Sequence, residues 1–225
     1  MNPLEYLHLQ LRLEGRQIVN GDALRQVEIV PDEEMPLMVI VQLADGQVVA
    51  YSDESLPPDL HRDLMDQIQT LEFPTIEPLL AVLETRTMAT EFGHYKTYAF
   101  PESLVHFNDP DISCRSSNDP LIQDFGFGGF PGQVYAVEQN GKVVSACVST
   151  RENRQCSEAW VYTAEACRKQ GLAQQVVSAW AQSMLQTGRV PFYSHKIGNT
   201  ASARLAKRLG LKPVFEEIAI TYMKV

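Results

Sequence analysis

Arg168-Lys169-Gln170-Gly171-Leu172-Ala173 holds the residues whose types and spacing are best suited to chemistry. The stretch reads Arg-x-x-Gly-x-Ala. It follows a strand-like run, Glu158 to Thr163, and opens an amphipathic segment, Leu172 to Gln186. A glycine-bearing turn at the head of a helix exposes backbone N–H groups at the positive end of the helix dipole, which makes a cradle for phosphate. The charge around it suits an anion. Residues 151–225 carry 11 Lys+Arg and 5 Asp+Glu, a net of +6, which leaves 8 and 23 for residues 1–150, a net of −15; together they make the −9 of the chain. The mononucleotide loop Gly-x-x-x-x-Gly-Lys-Ser/Thr is absent, and so is the three-glycine dinucleotide fingerprint. The turn is therefore not an obvious ATP or NAD site.

Glu158 is the other residue that calls for an account. A carboxylate in a largely apolar strand is costly unless it is paired or used. The four cysteines, Cys114, Cys147, Cys156 and Cys167, form no Cys-x-x-Cys pair. They read as free, mostly buried thiols, and no metal site is expected. His195 follows a strand and reads as a loop residue.

These residues need elements to hold them. Met38–Leu43 and Val48–Tyr51 flank Asp45-Gly46, and Gln133–Glu138 and Val143–Thr150 flank Asn140-Gly141. Both pairs read as hairpins closed by type I′ turns, whose two central residues need φ > 0. Leu60, Leu64, Ile68 and Leu71 recur at helical spacing over 58–71, behind Pro57-Pro58. A shorter helix is expected over 76–84 and a strand over 94–100. Asn108-Asp109-Pro110-Asp111 is the best linker candidate. Beyond Thr150, strands at 156–163, 190–194 and 212–222 alternate with helices at 171–186 and 199–209, the latter ended by Gly210. Leu172, Ala173, Val176, Val177, Trp180, Ala181, Met184 and Leu185 share one apolar face of the first helix. The alternation predicts a mixed α/β sheet.

At 225 residues, 44% hydrophobic and 21% charged, the chain can bury a core in one large domain or two smaller ones. No apolar run approaches 18 residues, and the N-terminus lacks a signal-peptide pattern. A cytoplasmic protein with no membrane partner is the expectation. The acidic half carries no basic stripe with interleaved aromatics, so no nucleic-acid partner is expected.

Residues 133–215 resemble the GNAT superfamily of acyl-CoA-dependent N-acyltransferases. The matching features come in the family's order: the hairpin 133–150, the strand ending Val161-Tyr162-Thr163, the signature Arg168-x-x-Gly171-x-Ala173, the strand Val190-Pro191-Phe192-Tyr193-Ser194, and a helix beginning Asn199-x-x-Ser202 and closing on Leu209-Gly210-Leu211. The resemblance implies a GNAT fold of class α/β (α+β): a mixed, mostly antiparallel sheet with flanking helices. Here it is accompanied by an N-terminal α/β domain, with residues 1–110 and 111–225 as the two domains.

It also implies a site. Backbone N–H groups of Lys169, Gln170, Gly171, Leu172 and Ala173, with Arg168, would hold the CoA pyrophosphate. The strand end Val161, Tyr162 and Thr163 would splay from its neighbour, pair with the pantetheine amides and polarise the thioester. Asn199 would lie along the pantetheine arm.

Direct attack on the acetyl group of acetyl-CoA needs a neutral amine, an oxyanion donor and a proton for the leaving thiolate. Glu158 stands near the family's catalytic glutamate but one residue out of phase, which a β-bulge would correct. The family's thiolate acid, a tyrosine on the second helix, falls here on Ala206. Tyr193, Ser194 and Ser202 are the substitutes at hand. Only 17 residues, 116–132, remain between the first strand (112–115) and the hairpin, and they contain Phe125-Gly126-Phe127-Gly128-Gly129-Phe130. That segment reads as a loop, either a wall of the acceptor pocket or a latch between domains. The acceptor is a small-molecule or protein amine, and a homodimer is allowed. The alternative is a non-catalytic acyl-CoA-binding regulatory protein.

Overall fold

The computed structural model describes residues 1–28, 35–86, 88, 90–102, 111–130 and 132–222. In chain order its elements are α1 (Pro3–Leu13), β1 (Arg16–Val19), β2 (Ala23–Gln26), β3 (Met38–Leu43), β4 (Val48–Asp53), α2 (Pro58–Ile68), α3 (Glu77–Thr85), β5 (Thr90–Ala99), β6 (Ile112–Ser116), α4 (Pro120–Asp124), β7 (Gln133–Gln139), β8 (Lys142–Glu152), β9 (Cys156–Thr163), α5 (Leu172–Gln186), β10 (Val190–Lys196), α6 (Thr200–Arg208) and β11 (Pro213–Tyr222). A 3₁₀ turn, Glu165–Cys167, joins β9 to the approach of α5.

Two compact units form: Met1–Thr97 with Pro213–Val225, and Tyr98–Lys212. The division follows contact rather than chain order. The last strand, β11, runs antiparallel to β3 from Phe215↔Leu43 to Ile220↔Met38, so it joins the first unit instead of closing a contiguous 111–225 domain. Residues 108–110 of the expected linker lie outside the described residues.

In the first unit the strand order is β1-β2-β4-β3-β11. β3 is buried on both sides, and its alternating side chains serve two cores. Met38 and Ile40 join Leu60 and Leu64 of α2 and Leu79 and Leu83 of α3. Val39 and Val41 join Leu7 and Leu11 of α1. α1, β1 and β2 carry no strong sequence signal and emerge only here. α1 begins with a capping box in which Asn2 and Glu5 satisfy each other's backbone N–H groups.

In the second unit the order is β10-β9-β8-β7-β6. β6 to β9 are antiparallel neighbours and β10 joins β9 in parallel, which is the expected mixed, mostly antiparallel sheet. α5 lays Leu172, Val176, Val177, Trp180, Ala181 and Met184 on one face of the sheet, with Val137, Cys147 and Tyr193. On the other face Ile122, Phe127, Val134, Ala136 and Val148 close a second core.

One local expectation is corrected. Asn140 (φ 52) and Gly141 (φ 72) form the type I′ pair, but at the first hairpin only Gly46 (φ 91) is left-handed. There Gly46 N–H bonds Leu43 O and Leu43 N–H bonds Gln47 O, closing a three-residue loop with glycine at its left-handed position. The loop expected over 125–130 is present, and ahead of it α4 is capped by the Asp119 side chain on Leu121 N–H, with Pro120 at its first position.

Candidate active site

The turn between β9 and α5 is built around two left-handed residues, Lys169 (φ 66) and Gly171 (φ 85). Gly171 is the N-cap of α5 and offers no side chain to its first turn. Gly171 O instead accepts from Gln174 and Gln175. Among the described residues, no acceptor takes the N–H groups of Lys169, Gln170, Gly171, Leu172 or Ala173. Five donors at the positive end of a 15-residue helix are therefore open to an anion. A Cβ placed on Gly171 would meet no protein atom within 4 Å. Positive φ is what the protein itself asks of this glycine. Arg168 turns back: its Nε donates to Thr163 O at 3.2 Å, and its guanidinium lies 5.8 Å from the centre of the Tyr162 ring. It staples the turn to the end of β9.

β9 and β10 pair only through Val190↔Cys156, Pro191↔Ser157 and Phe192↔Glu158. Beyond Glu158 and Phe192 both strands continue without pairing to each other, while β9 stays paired with β8 as far as Ser145↔Thr163. The two strands splay. In a strand, the N–H and C=O of one residue point to the same side and successive residues alternate. Tyr162 O accepts from Ser145 Oγ, and Ala164 N–H donates to Val144 O, so both are turned towards β8. Val161 and Thr163 are thus turned into the opening. Since Arg168 takes Thr163 O, the Val161 peptide groups are the ones left at the open edge.

The two faces of the splay differ. On the α5 side lie Ala159, Val161 and Tyr193, packed with Trp180, Cys147 and Ala206. Burial pushes the Tyr193 phenol up to about 12, against a hydrogen bond with Ser202 that lowers it. Tyr193 is therefore a neutral phenol at any working pH. Burial also pushes the neighbouring Cys147 thiol well up, which keeps it protonated and unreactive. His195 Nδ1 lies 2.9 Å from Lys196 O, which can only accept, so Nδ1 carries the hydrogen. Nε2 is then an acceptor for the Tyr98 hydroxyl at 3.3 Å, and the two rings stack with centres 5.6 Å apart. Asn199 caps α6, its Oδ1 accepting from Ser202 N–H at 3.1 Å. Ala206, where the resemblance expects a tyrosine, is 1% exposed within the core.

The opposite face carries Glu158, Trp160 and Tyr162. β8 has an extra residue at Thr150, between the pairs Ser149↔Ala159 and Arg151↔Glu158. The bulge is in β8 and not in β9, and its effect is to set Arg151 directly opposite Glu158. Arg151 Nη2 and Glu158 Oε2 are 2.9 Å apart, with the carboxylate side chain 5% exposed. The ion pair gives this buried glutamate a structural reason to exist. Beyond it, Phe127 stacks on Trp160 with ring centres 4.5 Å apart, Phe130 lies 4.7 Å from Trp160, and Phe125 lies 5.7 Å from Tyr162. The Phe/Gly loop thus packs within the second unit, on β9.

The structure brings Val161, Tyr162, Thr163 and the 168–173 turn to one strand-to-helix junction. Tyr193 and Ser202 lie near each other on one face, and Glu158 stands on the other. Sequence reasoning missed Arg151, Tyr98 and Cys147. Arg151 has a signal, as a basic residue on a strand whose neighbour carries a buried carboxylate. Tyr98 has none, because it comes from a strand about 100 residues away in sequence.

Residues 123–219 match the family model described as GNAT acetyltransferase. An uncharacterized N-acetyltransferase of Bacillus subtilis strain 168, YdfB, is 34% identical over 134 residues, 54% of this chain and 49% of that protein. The chain thus spans about half the length of this curated relative. Among solved structures, a GCN5-related N-acetyltransferase from Kribbella flavida aligns over 100% of this chain and 96% of its own, with a TM-score of 0.53 and 12% identity. A putative acetyltransferase of the GNAT family from Novosphingobium aromaticivorans aligns over 60% of this chain and 69% of its own, with a TM-score of 0.52 and 19% identity. These likenesses show the fold. The chain has the GNAT fold, and its residues 123–219 match the model of the GNAT acetyltransferase family.

Proposed function

We propose that this protein is an N-acetyltransferase that moves an acetyl group from acetyl-CoA to an amine by direct attack. The carrying observation is the junction of the β9–β10 splay with the 168–173 turn, where five unpartnered N–H groups end one side of an open strand edge. Acetyl-CoA, when bound, supplies the activated acyl group as a thioester. The N–H groups of Lys169 to Ala173 would hold its pyrophosphate, aided by the dipole of α5. The Val161 N–H and C=O would pair with the pantetheine arm as a missing strand does. A backbone N–H at that edge would also serve the oxyanion of the tetrahedral intermediate.

Tyr193 stays protonated with Ser202 beside it, so its phenol can deliver a proton to the leaving thiolate from the helix side. Glu158 lies on the opposite face, where the amine would approach. Because Arg151 matches its charge, Glu158 would act by accepting a hydrogen bond from the amine or from a bridging water.

The test is thiol release from acetyl-CoA in the presence of an amine panel, with calorimetry of CoA binding. Gly171→Glu sets bulk and negative charge at the phosphate turn and should abolish CoA binding. Unchanged affinity would remove the turn from the site. Tight binding of acetyl-CoA with no thiol release for any amine would leave a binding protein without turnover.

A further inference from the structure

On the face of β9 that carries Glu158, four partly exposed aromatic rings stand together. Trp160 is 40% exposed and Tyr162 is 42% exposed, though both lie on a strand next to the core. Phe125 and Phe130, from the Phe/Gly loop, are half-buried beside them. Phe127 is 1% exposed and stacks on Trp160 at an interplanar angle of 17°, so the exposed rings rest on a buried aromatic base. Gly126 (φ 84) and Gly129 (φ 86) take left-handed conformations that let the short loop direct three phenylalanines onto one strand.

The wall stands where chemistry is presented. Trp160 and Tyr162 flank Val161, whose peptide groups face the opened edge. The charges on the wall are already matched or positive. Glu158 is paired with Arg151 at 2.9 Å, and the Arg168 guanidinium covers Tyr162. On β9 itself a polycation would meet one compensated carboxylate and two guanidinium groups. A flat apolar body would find a ring to stack on and an apolar area to bury.

We propose that the wall formed by Phe125, Phe130, Trp160 and Tyr162 selects the acceptor, and that the acceptor is a primary amine carried on an aromatic or branched apolar body rather than a polyamine. This inference rests on the transferase reading for its reaction, but its binding claim can be tested separately. In the transfer itself, the amine nitrogen bonds to the acetyl carbon, the carbon–sulfur bond breaks, and the thiolate takes a proton while the amine loses one.

The chain holds two tryptophans, Trp160 and the fully buried Trp180, so a ligand stacking on the wall changes the emission of Trp160 alone. The full-length protein, with CoA present, is titrated with 2-phenylethylamine and with spermidine while tryptophan emission is followed. Binding of 2-phenylethylamine should quench emission at concentrations where spermidine does not. Trp160→Phe, which keeps a ring in the stack, should lose the quench. Phe130→Ala should raise the KM for 2-phenylethylamine about 10-fold or more, a change of about 1.4 kcal/mol, with the KM for acetyl-CoA unchanged.

Acetyl transfer to spermidine in preference to 2-phenylethylamine, indifferent to Phe130→Ala, overturns the inference and leaves the transferase reading intact. Quenching by 2-phenylethylamine with no thiol release in any assay supports the wall and overturns the transferase reading. No quench and no preference sinks the wall alone.

Discussion

Gly171→Ala separates what the protein asks of this residue from what a ligand would ask. Two costs are distinct here. The first is conformational: an alanine at φ 85 sits in the left-handed region, at about 1–2 kcal/mol. For a chain of this size that lowers the melting temperature by roughly 2–8 °C. The second cost should be absent without ligand, because the added Cβ meets no protein atom within 4 Å. If phosphate oxygens occupy that space, the methyl group displaces them from the N–H groups. Losing one charge-assisted hydrogen bond costs about 1.5–3 kcal/mol, or about 10- to 150-fold in affinity.

The control is Gly141→Ala, at φ 72 and also clear of protein atoms within 4 Å, on the β7–β8 turn. Both variants should lose similar thermal stability in the absence of ligand. Calorimetry with acetyl-CoA should then show weakened binding for Gly171→Ala alone. Affinities equal within a factor of about three for the two variants would refute the reasoning, since strain without occupancy would then explain everything at Gly171.

Three further outcomes follow from the site. Arg151→Ala leaves the Glu158 carboxylate buried without its counter-ion and should cost about 3–5 kcal/mol in urea unfolding, while the double swap Arg151→Met with Glu158→Leu should recover most of it; full transferase activity in that double variant would strike Glu158 from the mechanism. Burial raises the Tyr193 phenol from 10.0 to about 12, so the folded state holds that proton more tightly than the unfolded chain does. The stabilisation, about 2.7 kcal/mol for two units, is complete below pH 10 and is lost as pH rises through 12. Tyr193→Phe should therefore lose less stability than the parent in alkaline urea titrations; Tyr51 and Tyr135, also shifted up, contribute to both proteins, while Cys147 is electrostatically linked to Tyr193 and its share falls with it. Ala206→Tyr restores the side chain that the resemblance expects but forces it into a position only 1% exposed, so it should destabilise by about 1–3 kcal/mol without raising kcat.

The strand, turn and helix proposed to hold the donor were legible in the sequence because local backbone chemistry carries them. A glycine with positive φ, a helix starting behind it and a short apolar strand ahead of it are all written within residues 158–186, and the structure matches them to within a residue. Asn199-x-x-Ser202 was legible for the same reason: an N-cap is a contact across three residues. The first unit was less so. β1 and β2 are not legible because strands of four residues carry too little periodicity to stand out.

What only the tertiary structure decided are the matters that depend on a neighbour far away in sequence. The charge of Glu158 became matched because one extra residue in β8 turned Arg151 towards it, and no pattern in β9 announces a bulge in β8. Tyr98 met His195 across 97 positions. β11 left the segment it follows in the chain and paired with β3, since strand pairing is set by which edge is open. The Phe/Gly loop could be a latch or a wall by its composition. Its docking on Trp160 and Tyr162 came from the face those two residues share at a spacing of two, with Glu158 on the same side. The sequence by itself thus determined the left-handed turn and the helix start behind it, through hydrogen-bond geometry local to the chain. The packing of the aromatic loop on β9 was decided by which strands and loops came together in the tertiary structure.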